Sequence, residues 1–226
     1  MRFIKCLCMG LIVLGLMGGG ALATPTELSP PELADVLERT TLNLGQIQQL
    51  KTRVRQEKKI PLFTEPVTSR GLCLFKRPDK LRLEFIDPFK SILVSDGKQL
   101  RKYTQFQGKW KRLKAGDAAM SAMVLDQING WLSGRFNDKD LYRITGNRTD
   151  QGITLVLTPK NPEFRQHIQA FELGLKPQLD GLRQIRIRVS DEDITTIVFH
   201  HDDTRGEIPD ALFTGDETPP PPVPEW

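Results

Sequence analysis

Few side chains in this 226-residue chain are suited to acid–base or nucleophilic work. Two histidines stand together ahead of two aspartates, His200-His201-Asp202-Asp203, and the third is His167. Adjacent residues of a strand point to opposite faces, so His200 and His201 are not expected to share a metal and read as a polar strand end. Asp191-Glu192-Asp193 lacks the spacing of a calcium loop and reads as a solvated hairpin turn. There is no G-x-S-x-G elbow, no serine in a nucleophile context and no phosphate-binding loop. The expectation is a protein that is not an enzyme, with no catalytic residue, metal or cofactor.

The remaining functional groups are cations. Arg186 and Arg188 alternate with Ile185, Ile187 and Val189, and Arg183 precedes them. This pattern reads as a charged outer strand face, or as a patch for anionic headgroups or an acidic partner. Arg77 precedes Pro78 at a strand end. By itself it is either solvated or a planar fork aimed at several acceptors.

The elements that must position these groups can be read along the chain. Residues 1–23 have a basic start at Arg2 and Lys5, an apolar core from Leu7 to Met17 and an Ala21-Leu22-Ala23 cleavage site. They read as a secretory signal too short in its core to anchor the protein, leaving a mature chain from Thr24 free in solution. Its removal lowers the formal net charge from +4 to +2, and no dense basic run points to nucleic acid. Cys6 and Cys8 depart with it, so Cys73 has no internal disulfide partner and reads as a small buried hydrophobe. Ser29-Pro30-Pro31-Glu32 is a capped helix start, followed by an apolar stripe through Leu33, Val36, Leu37 and Leu44. A second helix is predicted over Asp117 to Ser133, closed by Gly134. Between and after these helices, short alternating runs are separated by turn residues such as Asp96-Gly97 and Asp180-Gly181. From Thr214 the tail contains P-P-P-P-V-P and favours an extended polyproline form.

The segment Gly71–Tyr103 has the richest pattern, with a K-R-P turn ending in Pro78, an L-V-S-D-G hairpin and Tyr103 shortly after it. It resembles LolA and its relatives, the periplasmic outer-membrane lipoprotein carriers. The resemblance implies an α+β fold, a strongly curved antiparallel half-barrel of about nine to eleven strands covered by a lid of two or three helices. The implied organisation is a signal at 1–23, a carrier domain at 24–213 and a proline-rich tail at 214–226. It also implies that Arg77 closes the lid by contacting helix carbonyls. The expected acyl cavity is lined by Leu81, Leu83, Phe85, Ile92 and Val94 from the sheet, with Met120, Met123, Val124, Ile128 and Trp131 from the lid. The implied cargo is acylated lipoproteins or lipids, handed from an inner-membrane lipoprotein-releasing ABC transporter to an outer-membrane acceptor by a monomer that binds no nucleic acid. The chain departs from the family where Val54 replaces a frequent aromatic, where Arg101-Lys102 replaces apolar residues before the tyrosine, and in the tail from Pro219. These departures keep open a lipid- or glycolipid-binding protein of a surface-assembly system. An enzyme acting on an acyl substrate is the third reading.

Overall fold

The computed structural model describes residues 25–136 and 138–223. The expected secretion signal and residues 224–226 of the tail lie outside them. The described chain begins with β1 (Thr26–Glu27), α1 (Pro30–Gly45) and a meander, β2 (Gln49–Lys59), β3 (Val67–Lys76), β4 (Lys80–Asp87), β5 (Ser91–Asp96), β6 (Leu100–Phe106) and β7 (Lys109–Arg112). Then come α2 (Ala115–Leu132), β8 (Tyr142–Thr149), β9 (Gly152–Pro159), α3 (Pro162–His167), β10 (Ala170–Leu175), β11 (Leu182–Arg188) and β12 (Ile194–Asp203).

One open sheet of 12 strands results, in the order β1-β8-β9-β10-β11-β12-β2-β3-β4-β5-β6-β7. The two meanders meet where β12 pairs antiparallel with β2. This is the expected curved antiparallel sheet with helices. Its topology dictates where the lid lies. Strand β7 is one edge of the sheet, and β8 neighbours the other. The connection between them, which is α2, must therefore traverse a whole face of the sheet.

The helices start and stop where local chemistry says they should. Glu32 accepts hydrogen bonds from the Ser29 backbone N–H at 2.9 Å and from its hydroxyl at 2.6 Å, and prolines fill the first turn of α1. Helix α2 begins two residues ahead of the predicted Asp117 and ends at Leu132, followed by Ser133 and by Gly134, whose φ of +84° suits glycine. A Cβ there would also press on the Thr41 carbonyl at 2.8 Å, so the ends of the two helices abut. Asn161 caps α3 by accepting from Glu163 and Phe164, and β10 starts only at Ala170.

Register assigns the two faces of the sheet. Leu50, Phe75, Leu81 and Leu83 point inward, with Ile185 and Ile197 from the second meander, toward Val36, Leu37 and Leu44 of α1 and Leu125, Ile128, Trp131 and Leu132 of α2. Strand β5 corrects one expectation. Leu83 pairs with Leu93, whereas Ile92 and Val94 lie opposite Glu84 and Arg82. Ile92 and Val94 therefore point outward, away from the helices. The reason is that β5 is apolar on both faces, so alternation alone cannot orient it.

That outward patch has its own cover. Leu74, Ile92, Val94 and Tyr103 pack with Ile208, Leu212 and Phe213 from the segment after β12, and Trp110 and Val223 border them. Polar clasps hold this segment as a strap. Arg82, fully buried, donates to the Leu212 carbonyl at 2.9 Å and the Pro221 carbonyl at 2.8 Å while its other nitrogen meets Glu84 at 2.6 Å. Tyr103 donates to the Asp216 carbonyl, and Lys76 and Lys80 both reach Asp210 at 2.7 Å. The proline-rich tail is thus docked along the outer face of the sheet.

Two predictions follow from the strap. Replacing Arg82 with methionine leaves Glu84 and two carbonyls without their donor and is expected to cost about 3 kcal/mol, read as a lower urea midpoint; a loss below about 1 kcal/mol would contradict the clasp. Hydrogen bonds from Lys76 and then Lys80 hold the Asp210 carboxyl at about 2, below its ordinary 3.8. Its folded value is depressed, so its contribution is complete above the ordinary value and fades as pH falls toward 2. The stability gap between wild type and Asp210→Asn should shrink over that interval in urea titrations; a constant gap would refute the clasp's role.

Candidate functional site

Beneath α2 the inner face leaves a cavity of about 300 Å³. Its floor is Leu83, Phe85, Leu93, Ile187 and Ile197, and α2 contributes Met120, Val124, Leu125 and Ile128. Polar groups enter from the remaining side: Gln56, Lys58, Ser91, Lys102, Ser121 and Thr195. Gln56 and Lys58 lie near the end of β2, Ser91 opens β5 and Thr195 lies at the start of β12, so the cavity opens at that end of the sheet. Loops at the same end carry exposed apolar side chains, Leu62, Phe63, Phe89 and Phe106.

At the opposite end sits Arg77. Its Nε donates to the Ile47 carbonyl at 2.7 Å, and Nη2 donates to the carbonyls of Leu44 at 2.9 Å and Ser133 at 3.0 Å. Leu44 lies in the last turn of α1, Ile47 just beyond it, and Ser133 is the residue closing α2. One guanidinium thus reaches carbonyls at the C-terminal ends of both helices, where the two helix dipoles present negative charge. Its plane lies over the Phe75 ring at 5.9 Å. Asn129 adds a second tie, donating from α2 to the Asp79 carbonyl at 3.1 Å.

The expected lining residues divide into four groups. Leu83, Phe85, Met120, Val124 and Ile128 border the cavity. Leu81 and Trp131 are buried in solid packing beside it, Trp131 edge-on to Phe171 with ring centroids 4.9 Å apart. Met123 faces the β5–β6 hairpin tip near Gly97 and Leu100. Ile92 and Val94 belong to the outer face; β5 passes the cavity wall at Ile92, but its side chain lies with Leu74 and Phe213. Sequence reading missed Leu93, Ile197 and the polar wall. Counting register across the β4–β5 hairpin would have found Leu93, because Leu83 fixes its partner.

Other candidate groups have structural partners. Arg186 and Arg188 converge on the single Glu172, which offsets one of their two charges. Cys73 is buried, and burial pushes its thiol up to about 12, which leaves little thiolate at neutral pH. His200 and His201 have ring centroids 6.5 Å apart instead of opposing one another across the strand. A bulge with φ of +57° at His201 breaks the alternation assumed for β12. Among the described residues no group of three or more His, Cys, Asp or Glu side chains is placed to hold a metal, and no helix is long and apolar enough to cross a membrane.

A second, larger groove of about 1330 Å³ lies on the outer face between the strap and β3–β7, walled partly by Pro219–Val223. The sequence profile described as outer membrane lipoprotein carrier protein LolA matches residues 45–216, which include Arg77, α2 and the inner cavity but not the prolines walling the outer groove. The chain belongs to the LolA family. The LolA-like superfamily binds lipids or lipoproteins. Among solved structures the chain is similar to a LolA superfamily protein from Nitrosomonas europaea, at 13% identity and a TM-score of 0.43, over 80% of this chain and 97% of that one. It is similar to a DUF1329 family protein from Desulfovibrio piger at 14% identity and a TM-score of 0.47, over 80% and 95%. The lipoprotein LppX of Mycobacterium tuberculosis matches at 11% identity and a TM-score of 0.39, over 80% and 100%. No curated protein sequence matches.

Removing the fork should loosen the junction of the helices without unfolding the sheet. Arg77→Leu is expected to retain far-ultraviolet circular dichroism, to lose about 2–3 kcal/mol, and to speed amide exchange in the last turns of α1 and α2. Unchanged exchange at both helix ends would show that Arg77 does not hold them.

Proposed function

We propose that this chain is a periplasmic carrier that shelters the acyl chains of lipoproteins and passes them from an inner-membrane releasing transporter to an outer-membrane acceptor. It works by burial alone, with no covalent step. The observation that carries this reading is the apolar cavity under α2, latched at its far end by Arg77. A chain of sixteen carbons represents on the order of 12 kcal/mol of exposure to hide, at about 0.8 kcal/mol per methylene. A carrier must recover most of that and still let go.

The lid reconciles the two demands. In the closed form Val124, Leu125 and Ile128 occupy the inner face themselves. Entering acyl chains compete with them, so affinity is the small difference between two burials. The cavity of about 300 Å³ is at the low end of the usual range for ligand sites, roughly 300–1,000 Å³. Several chains therefore require α2 to lift, and the Arg77 latch sets the cost of lifting it. Transfer then runs down an affinity gradient and needs no nucleotide.

A second reading is a periplasmic lipid- or glycolipid-binding protein without general lipoprotein transfer. One observation favours it: Lys58 and Lys102 put cations in a wall that an uncharged acyl-glyceryl root does not need. Depleting the protein decides between them. Lipoproteins stranded at the inner membrane support the carrier; normal sorting supports the second reading. Both require the cavity, so Val124→Trp, which fills it from the lid side, is expected to weaken binding of a fluorescent acyl probe about tenfold or more. Undiminished binding would place the acyl site elsewhere.

A further inference from the structure

Lys58 and Lys102 reach the same cavity from non-adjacent strands, β2 and β6. Both occupy inward positions: Lys102 lies opposite Leu93, and Lys58 opposite Thr195, which also lines the cavity. Lys58 is exposed at the mouth, while Lys102 is half-buried and donates to the Ser121 hydroxyl of α2 at 3.0 Å. Among the described residues neither ammonium has a carboxylate within ion-pair distance, whereas Lys76, Lys80 and Lys176 elsewhere on the chain each have one. Burial, and then the charge of Lys58, lowers the Lys102 ammonium below the ordinary lysine range. The cavity wall therefore holds two like charges that repel each other in a partly desolvated space. An anion between them would reverse the sign of that interaction.

The arrangement is amphipathic. Apolar groups line the floor and the lid, and the cations sit with Gln56, Ser91, Ser121 and Thr195 on the mouth side. We propose that Lys58 and Lys102 form a headgroup site for an acyl ligand whose chain root carries a negative charge, a carboxylate or a phosphodiester, with the chain lying along Leu83, Phe85 and Ile128. The proposal rests on the cavity being the acyl site and adds the charge of the cargo. It also assigns a purpose to Lys102, one of the positions where the sequence departs from the family pattern. Serine on α2 shares the Lys102 ammonium, so a bound anion would draw that donor away from Ser121. Loading of the headgroup site and loosening of the lid are thereby connected.

The test compares the polyene fatty acid cis-parinaric acid with its neutral methyl ester, by fluorescence on the purified protein at low salt. The acid is expected to bind about tenfold more tightly than the ester. In Lys102→Met, and in Lys58→Met at the exposed mouth, the two affinities should converge to within about twofold, with ester binding equal or tighter. Inorganic phosphate at millimolar concentration should fail to displace the acid. Equal affinity of acid and ester in the wild type, or a preference that survives the double substitution, overturns the headgroup site but leaves the acyl cavity standing. Displacement by phosphate alone identifies a free-anion site and also overturns the proposal. Failure of both probes to bind overturns the cavity itself.

Discussion

The helical lid is organised around a single guanidinium. Helix C-termini leave carbonyls without intrahelical donors, and burying two such ends side by side is costly unless something answers them. Arg77 answers carbonyls from both, with three hydrogen bonds of 2.7 to 3.0 Å from one rigid fork. A lysine could supply charge but not a planar fork of donors at fixed separation. Because Arg77 stands at the end of β3, the lid is referenced to the centre of the sheet rather than to a flexible loop. Polar contacts tie the lid down at this end, while apolar contacts cover the cavity at the other.

The sheet carries apolar residues on both faces, and each face is managed differently. The inner face is covered by helices that leave a hollow. The outer patch of Leu74, Ile92, Val94 and Tyr103 is covered by the strap, clasped by the buried Arg82. Burying an arginine without compensation is expensive, and here two carbonyls and Glu84 supply the compensation. The strap turns what would be an aggregation-prone surface into a second core. It also braces β3 to β6 from behind.

Much of this was legible in the sequence, for identifiable reasons. Turn chemistry at Asp96-Gly97 and the clean alternation of Leu81, Leu83 and Phe85 fixed the β4 and β5 strands and the floor residues Leu83 and Phe85. The capping residues of α1 and the stripe of α2 placed both helices within two residues of their ends. What failed was orientation where both faces are apolar, as at Ile92 and Val94. The docking of the tail was also invisible, because polyproline chemistry specifies an extended chain and not what it lies against. The polar wall escaped notice because Lys58 and Lys102 are distant in sequence and converge only through register across the sheet.

The route of α2 has a mechanical corollary. This helix is covalently continuous with β7 at one margin and with β8 beside the other, so it spans the half-barrel like a string across a bow. Raising the string and flattening the bow are one displacement. On the proposed carrier reading, cargo that lifted the helix would change the arc of the whole sheet, and a partner that gripped the two margins would sense the filling of the hollow without touching what lies inside.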